Sequence, residues 1–314
     1  MPRTITLLSA PSNLGLMPPA ADEEPGVDRM PVALKMLGLV GDLNAIDRGT
    51  VPPLAYSPAI DPETGVRNAA SIRAYSERLA GSVKDLVSDD TFLLVVGGDC
   101  SILLGTMLGL RRKGNYGLVF IDGHRDFQDP EMSTSAGAAG MDLALVTGRG
   151  PESLTRFGEF KSLVKDSAVV VVGFRDEDDG GKEEARALDE SSIRQFDLNA
   201  CREMGSDHVA EQILEVMGET PTDGFWIHLD VDVLATDVMP CVDSPAPGGM
   251  SYEELSTLVL PLIQDSRAVG MEITIYDPAR DPDGIVGQGL VSWLTALFDA
   301  AGFIIAEMEN RSVT

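Results

Sequence analysis

The stretch VVGGDCSILLG, residues 95–105, joins an apolar run to a helical one through two glycines and an aspartate. This pattern is typical of a buried strand that ends at a tight turn, after which a helix begins. Gly97 and Gly98 allow the backbone to turn sharply and to pass close to neighbouring chain. Cys100 lies at this junction, and three roles are open for it: a small buried residue, a nucleophile or a metal ligand.

The rest of the chain repeats this alternation of apolar runs and helical stretches. Continuous apolar runs such as AVVVV are typical of a parallel sheet that helices cover on both faces. No internal repeat, low-complexity tract or linker interrupts the pattern, so a single α/β domain is expected over residues 1–314. Strands are predicted at 4–9, 92–97, 116–122, 167–174, 224–233 and 267–276, with weaker candidates at 42–46 and 193–197, and helices at 68–88, 101–113, 203–217, 251–264 and 284–301.

The composition limits the classes of partner. With 50 acidic against 24 basic residues, the formal net charge is −26, which disfavours nucleic acid and anionic membranes as partners. No apolar run approaches the length of a membrane span, and the N-terminus is typical of a first strand rather than a signal peptide. The three cysteines show no CxxC spacing and indicate a reducing compartment, so a cytoplasmic location is expected.

The motif IDGHRDFQDP, residues 121–130, follows a predicted strand. Asp122, His124 and Asp126 are spaced by two, so an extended backbone would point all three side chains the same way. Alone this spacing is a weak signal, because surface loops produce it by chance. In open parallel sheets, however, ligand sites form outside the carboxyl ends of the strands, which is where this motif would lie.

A second motif, HLDVDV at 228–233, follows another predicted strand with the same alternation. His228, Asp230 and Asp232 would then share one face. If the two strands lie close together, several carboxylates meet in a partly buried pocket, where they repel each other unless cations neutralise them. Carboxylate and imidazole ligands suit divalent ions. We therefore expect a divalent metal site rather than two solvated loops.

The set GGDCS, DGHRD, GFRDED, LDVDV followed by DSPAPGGMSYEEL, and MEITIYDP resembles the ureohydrolases, the family of arginase, agmatinase, guanidinobutyrase and formimidoylglutamase. The motifs occur in the family's order over residues 5–300, roughly the whole chain. The resemblance implies a three-layer α/β/α fold with a mostly parallel eight-stranded sheet, assembled as trimers or hexamers. It also implies two divalent ions, usually manganese, bridged by a hydroxide that attacks the carbon of a guanidine or amidine.

The same resemblance implies the ligands of the two ions. Asp122 and Asp230 would bridge them, and Asp126 would also act in catalysis by accepting a hydrogen bond from the hydroxide. One ion would take Cys100, Asp122, Asp126 and Asp230, and the other Asp122, His124, Asp230 and Asp232.

Cys100 is the first departure from the family pattern, because the family has histidine at that position. A thiolate is softer than imidazole and would favour zinc, iron or nickel over manganese. The other interpretation is a buried small residue beside an empty metal position. Use of Cys100 as a nucleophile is less favoured, because it would need a histidine as base and His124 is already assigned to metal.

Two further departures concern proton transfer and substrate. Ala139 stands where the family has a histidine that shuttles protons, and His228 is either its catalytic replacement or a buried histidine that orients Asp230. Ile275 stands where arginase-like members have a glutamate that holds the guanidinium. A less basic or N-substituted amidine, or an amide, would tolerate that isoleucine better. Glu272, three residues earlier, is expected to support the metal ligands.

Other positions that contact substrate in the family are still polar here. The predicted substrate-binding residues are Gln128, Ser135, Asp178 and Ser244.

The sequence is therefore compatible with three functions. The first is a metal-dependent hydrolase of a linear C–N bond in a guanidino or amidine compound. The second is a catalytically weak or inactive subunit of the same fold that assembles with an active paralogue. The third is an amide hydrolase that uses a single metal ion.

Overall fold

The structure, a computed structural model, describes residues 3–175 and 181–304 and contains an eight-stranded sheet. The strands are β1 (Thr4–Ala10), β2 (Ile46–Thr50), β3 (Thr91–Gly97), β4 (Gly117–Ile121), β5 (Val169–Val172), β6 (Arg194–Phe196), β7 (Phe225–Asp230) and β8 (Ala268–Thr274). Their order across the sheet is β2-β1-β3-β8-β7-β4-β5-β6. Every neighbouring pair is parallel, which confirms the predicted parallel eight-stranded sheet.

Helices pack on both faces of this sheet. In the described ranges they are α1 (Met30–Met36), α2 (Leu39–Asp42), α3 (Ala69–Leu86), α4 (Leu103–Arg111), α5 (Asp142–Val146), α6 (Glu152–Thr155), α7 (Gly181–Asp189), α8 (Leu198–Met204), α9 (Ser206–Glu219), α10 (Tyr252–Gln264) and α11 (Ile285–Ala300). Short 3₁₀ helices cover Gly26–Arg29, Cys100–Ile102, Ala138–Met141, Asp166–Ala168, Val231–Val233 and Pro278–Arg280. No helix of the described ranges is long and apolar enough to cross a membrane.

Two hydrophobic layers hold the helices against the sheet. Alternate strand residues face opposite layers: Val119 lies in the layer with α1, α9, α10 and α11, and Phe120 in the layer with α3, α4 and α5. Because both faces are covered, β4, β5 and β7 are buried along their whole length. This is why the central strands show unbroken apolar runs in the sequence.

The prediction from sequence was wrong at the β2 edge of the sheet. The strand predicted at 42–46 is wrong, because β2 covers Ile46–Thr50 and residues 39–42 form the short helix α2. Every residue of β2 is exposed, so this edge strand carries little of the apolar pattern on which the prediction depended. The run predicted to stay extended over 224–233 also ends early, at Asp230, and continues as a 3₁₀ turn.

The turn after β3 has the features that the glycine pair predicts. A Cβ on Gly98 would lie 1.8 Å from the carbonyl oxygen of Ser12, so only glycine fits there. Asp99 caps the following 3₁₀ helix, since its carboxylate accepts from the backbone N–H of Ser101 at 2.8 Å. The hydroxyl of Ser12 donates to the other oxygen of Asp99 at 2.6 Å. These contacts fix Cys100 at the carboxyl end of β3.

Candidate metal centre

A cavity of about 280 Å³ lies at the carboxyl ends of β3, β4, β7 and β8, the four central strands. This is the edge of the sheet at which parallel α/β proteins bind ligands. Five lining residues, here called the acidic floor, carry potential metal ligands: Cys100, His124, Asp126, Asp230 and Asp232. Three others, here called the apolar wall, are Leu16, Ala139 and Ile275.

The DGHRD segment leaves β4 and turns, so it does not stay extended as the alternation assumed. The backbone N–H of His124 donates to Asp122 Oδ1 at 2.6 Å, and Asp126 adopts a left-handed conformation with φ of 47°. Aspartate tolerates that conformation better than most residues. The turn still brings Asp122, His124 and Asp126 together, because one ligand atom of each lies within 4.8 Å of the others.

The end of β7 also turns rather than continuing. Asp230 Oδ1 accepts from the backbone N–H of Asp232 at 2.8 Å, which closes a 3₁₀ turn over Val231–Val233. Asp232 Oδ2 lies 2.9 Å from Nδ1 of His124, and Oδ1 accepts from the backbone N–H of Gly123 at 3.0 Å. The two acidic motifs are therefore joined directly to each other.

Cys100 lies among the acidic residues rather than in the apolar core alone. Its Sγ is 2.7 Å from Asp230 Oδ2 and 3.3 Å from Thr274 Oγ1. Burial, together with Asp230 and Asp142, raises the pKa of the thiol well above its usual range. A bound cation would reverse this shift, since a coordinated thiol is deprotonated. The side chain is 1% exposed, so large molecules have no direct access to it.

Two overlapping sets of ligand atoms can be distinguished, and Asp122 belongs to both. The inner group consists of Cys100, Asp122, His228 and Asp230, all buried, and the outer group of Asp122, His124 and Asp126. In each group, one ligand atom of every member lies within 4.8 Å of the others. The expected ligands Cys100 and Asp230 thus lie together with Asp122, while Asp126 lies with His124.

Electrostatics indicate that this cluster needs a cation. Burial and neighbouring carboxylates raise the pKa of Asp122, and they raise the pKa of Asp126 and Asp230 far above the usual range. For Asp232, burial alone would do the same, but the His124 imidazole holds its pKa below the usual range. Against the opposing effect of burial, Asp232 and Asp122 raise the pKa of His124 to about 12. Divalent ions would remove this repulsion.

Unpartnered atoms point the same way. Asp122 Oδ2 is buried without a hydrogen-bond partner among the described residues. Leaving such an atom unpaired costs roughly 1–3 kcal/mol, so an unseen partner is expected. Carboxylate, imidazole and thiolate groups are all ligands of divalent ions. The residues present therefore fit a metal centre.

A buried polar network lies beneath the cavity and includes His228. This side chain is fully buried and does not line the cavity; its Nδ1 is 2.7 Å from Glu272 Oε1, and its Nε2 is 3.9 Å from Asp142 Oδ2. Glu272 thus contacts the histidine, one ring nitrogen of which also lies within 4.8 Å of an oxygen of Asp230. Burial and the nearby carboxylates of Asp122 and Glu272 raise the pKa of Asp142 well above its usual range.

The predicted substrate-binding residues fall into three groups. Gln128 and Ser244 line the cavity. Ser135 does not, because its hydroxyl accepts from the backbone N–H of Gly137 at 3.0 Å and lies 3.2 Å from the hydroxyl of Ser133. Its neighbour Thr134 takes part in the lining instead. Asp178 lies outside the described residues.

The apolar wall contains both positions where polar family residues were expected. Ala139 and Ile275 line the cavity, so the alanine and the isoleucine face the space where substrate would lie. Ile275 has φ of 78°, a conformation that is strained for a β-branched residue, and its N–H donates to Gly98 O at 2.8 Å. Strain of this kind is common at functional sites.

Several residues of the site were missed by sequence reasoning. Glu184 lines the cavity from the first turn of α7, and its Oε1 accepts from the backbone N–H of Phe127 at 2.7 Å. Asp243 lines it from the loop DSPAPGG, and Asp142 lies beneath it at the start of α5. Glu184 is one of several acidic residues in α7, and no sequence motif distinguishes it from its neighbours as a site residue. The DSPAPGG loop belongs to the motifs that carry the family resemblance, and this is the sequence signal that could identify Asp243.

Comparisons with known proteins identify the family. The family model described as "Arginase family" matches residues 20–296. Arginase of Bacillus subtilis (strain 168) is 30% identical over 304 residues, covering 95% of this chain and 98% of that protein. Arginase of Staphylococcus aureus (strain COL) is 28% identical over 305 residues, covering 94% and 97%.

Solved structures give the same result. Arginase from Bacillus caldovelox superposes with a TM-score of 0.83 at 27% identity, covering 98% of this chain and 100% of that one. Formimidoylglutamase from Bacillus subtilis subsp. subtilis str. 168 has a TM-score of 0.72 at 17% identity, covering 95% and 87%, and shows a shared fold. Fold and site define an α/β/α protein with an acidic cluster that could hold metal. The chain belongs to the arginase family.

Proposed function

We propose that this protein is a metal-dependent hydrolase that cleaves a linear C–N bond in a guanidino or amidine compound. The observation that carries the proposal is the acidic floor: an intact set of carboxylate, imidazole and thiol groups that opens onto a substrate-sized cavity in an arginase-family chain. Divalent ions bound there would supply an activated water molecule and stabilise the charge that develops during attack. The preferred metal is manganese by family, with zinc, iron or nickel as alternatives because of Cys100.

The chain's own residues would orient the reactants and move protons. Asp126 lines the cavity and lies in the outer group with Asp122 and His124, so its carboxylate is placed to accept a proton at the metal position. We assign to Asp126 the proton that leaves the attacking water, a role that contributes roughly 10²–10⁴-fold in comparable enzymes. Gln128 and Ser244 would hold the leaving amine or its chain.

The charge of the lining defines the substrate class. Asp126, Glu184 and Asp243 contribute carboxylates, and none of the described lining residues is lysine or arginine. Such a cavity favours a cationic or neutral substrate over an anionic one. Ile275 offers no charge to a guanidinium, which favours a less basic or N-substituted amidine.

The second candidate is a weakly active or inactive subunit that assembles with an active paralogue. The apolar wall favours it, because Ala139 and Ile275 contribute neither a proton shuttle nor a counter-charge at the cavity surface. A third candidate, an amide hydrolase with one metal ion, would need only one of the two groups to bind metal. Assembly into homotrimers or hexamers is proposed for the first and third candidates.

The test is a substrate screen of the full-length protein after separate loading with manganese and with zinc. Guanidines, N-substituted amidines and primary amides would be compared by release of urea, ammonia or amine. Asp126→Asn should lower turnover by about 10²–10⁴-fold. Asp237→Asn removes an exposed carboxylate outside the cavity lining and should leave turnover unchanged.

The metal content of each sample separates the candidates. Two ions per chain with turnover supports the main proposal, and one ion with amide cleavage supports the third. Full metal loading without turnover of any compound would overturn the main proposal and favour the partner subunit, which light scattering of mixed assemblies would then address.

A further inference from the structure

His228 occupies an unusual place for a histidine, in the middle of the sheet. It lies on β7 directly opposite Glu272 of β8 and beside Phe120 of β4. Its ring stacks on the Phe120 ring, with centroids 4.6 Å apart and planes 10° from parallel. The side chain is 0% exposed. The ring is therefore fixed by packing on one side and by a carboxylate on the other.

The two ring nitrogens have different environments. Nδ1 is 2.7 Å from Glu272 Oε1, so it carries the proton and donates to that carboxylate. Nε2 is then the nitrogen with a free lone pair, and it is buried without a hydrogen-bond partner among the described residues. Its nearest carboxylate oxygen on α5, Asp142 Oδ2, is 3.9 Å away, which is too far for a hydrogen bond.

His228 lies beside a set of potential ligands. A ring nitrogen of His228 lies within 4.8 Å of the Cys100 sulfur and of carboxylate oxygens of Asp122 and Asp230. Because Nδ1 is taken by Glu272, Nε2 is the nitrogen available to that set. Asp122 Oδ2 is a further unpartnered buried atom in the same place. Four donors from β7 and from the ends of β3 and β4 thus lie within 4.8 Å of one another.

We propose that the inner group is a zinc site in which Cys100 Sγ and His228 Nε2 are direct ligands, completed by Asp122 and Asp230. Zinc is commonly bound by four ligands drawn from thiolate, imidazole and carboxylate. Glu272 then acts as the carboxylate that orients a zinc-bound histidine through its other nitrogen. The outer group, with two carboxylates and one imidazole, has the harder donors that manganese tolerates. The centre is therefore built for two different ions.

The zinc position rests on the metal centre of the proposed function, but not on the reaction. Metal binding and turnover are separate measurements, so either can fail alone. A buried water bound to His228 Nε2 is the competing occupant, and it would leave Cys100 without a metal bond.

The first experiment replaces zinc with cobalt in the full-length protein, with manganese present in excess for the outer group. A cobalt–thiolate bond gives an intense charge-transfer absorption in the near ultraviolet. We expect this band in the natural protein, its loss in Cys100→Ser, and its retention in Cys201→Ser, a matched control because Cys201 is equally buried but lies on α8. X-ray absorption of the zinc form should show one sulfur at about 2.3 Å.

The second experiment tests the histidine through its supporting carboxylate. Glu272→Gln keeps the volume but weakens the hold on Nδ1, and should lower zinc affinity about 10–100-fold. Manganese binding to the outer group should change much less. His208→Gln, at an exposed histidine of α9, should change neither affinity.

The outcomes are separable. A cobalt-loaded natural protein without the thiolate band, or zinc affinities equal in Glu272→Gln and the natural protein, would overturn the zinc site. In that case manganese bound to the outer group, with turnover, would leave the proposed function intact. Failure of every ion to bind at either group would overturn the metal centre itself and the proposed hydrolase with it.

Discussion

The acidic floor and the apolar wall line one cavity, yet they differ in how far they depart from the pattern that the family resemblance implies. The floor keeps a carboxylate or imidazole at His124, Asp126, Asp230 and Asp232, and its one exception, Cys100, is still a ligand type. The wall is apolar at Ala139 and Ile275, where the resemblance implies polar residues. Ligands that share an ion depend on one another, because removal of one leaves the others charged and unpaired. Residues that face substrate carry no such mutual constraint.

The largest effect is expected at Asp122, which both ligand groups share, because one substitution there should weaken both metal positions. Asp122→Asn keeps the shape but removes the charge, and should weaken binding of both ions by more than the roughly 100-fold typical of supporting residues. Metal content by mass spectrometry and thermal unfolding would be measured together, with Asp237→Asn as the exposed control. Retention of both ions in Asp122→Asn would show that Asp122 is not a shared ligand.

Metal removal should expose the electrostatic repulsion among the carboxylates in and beneath the acidic floor. The pKa values of Asp126, Asp142 and Asp230 are raised above the usual 3.8, by burial first and by neighbouring carboxylates second. Groups with a raised pKa in the folded state favour folding at low pH, and this advantage is lost as the pH rises through the folded values. The melting temperature of the metal-free protein should therefore fall between about pH 5 and about pH 8.

Asp142→Asn sharpens that prediction, since Asp142 belongs to neither ligand group. Removing this buried charge should raise the stability of the metal-free protein near pH 8 by about 1–2 kcal/mol and flatten its pH dependence. The metal-loaded protein should show a much weaker dependence on pH. A metal-free protein that becomes more stable from about pH 5 to about pH 8 would contradict the raised pKa values.

The wall can be changed without touching any ligand. Ile275→Glu places a carboxylate in the cavity and should raise the preference for a guanidine over a neutral amide about tenfold in kcat/KM, or about 1.4 kcal/mol. Ile275→Gln has the same shape without the charge and should leave the preference within about twofold of the natural protein. Equal preferences in the two variants would show that charge at this position does not select the substrate. If turnover is slow, the affinity of each variant for both compounds would be measured by calorimetry instead.

The smallest effect is expected beneath the floor. Phe120→Leu removes the stacked ring from His228 and should lower the free energy of unfolding by about 1–2 kcal/mol, with a loss of zinc affinity below about tenfold. Phe92→Leu is the matched control, because Phe92 is also fully buried in the sheet but contacts Phe298 instead. Both variants should unfold earlier in urea, and only Phe120→Leu should affect zinc. An equal effect on zinc would indicate general loosening of the core.

The central sheet was predictable because its physical cause is local. Strands such as β4 and β5 are covered on both faces, so their apolar runs are unbroken. The exposed edge strand β2 lacks that cause and was misplaced by several residues. The two acidic motifs, at 121–130 and 228–233, also predicted where the carboxylate cluster lies, because parallel strands end on the same edge of the sheet.

The details of the centre depend on contacts that no local pattern encodes. Alternation predicted extended backbones, but the 3₁₀ turn after Asp230 and the left-handed Asp126 produce the convergence instead. The pairing of His228 with Glu272 depends on the register of β7 against β8, which brings together residues 44 positions apart. Glu184 reaches the cavity from a helix whose sequence shows only charge.

The register of the central strands arranges this chemistry in rows. Phe120, His228 and Glu272 stand side by side in one row, and the next polar row contains Asp230 opposite Thr274, two residues or roughly 7 Å further along the strands. The two rows are held by the same backbone ladder but differ in the groups that they present. An engineer could thus rewrite the deeper row to change which ion the protein prefers, and leave the row that meets the substrate as it is.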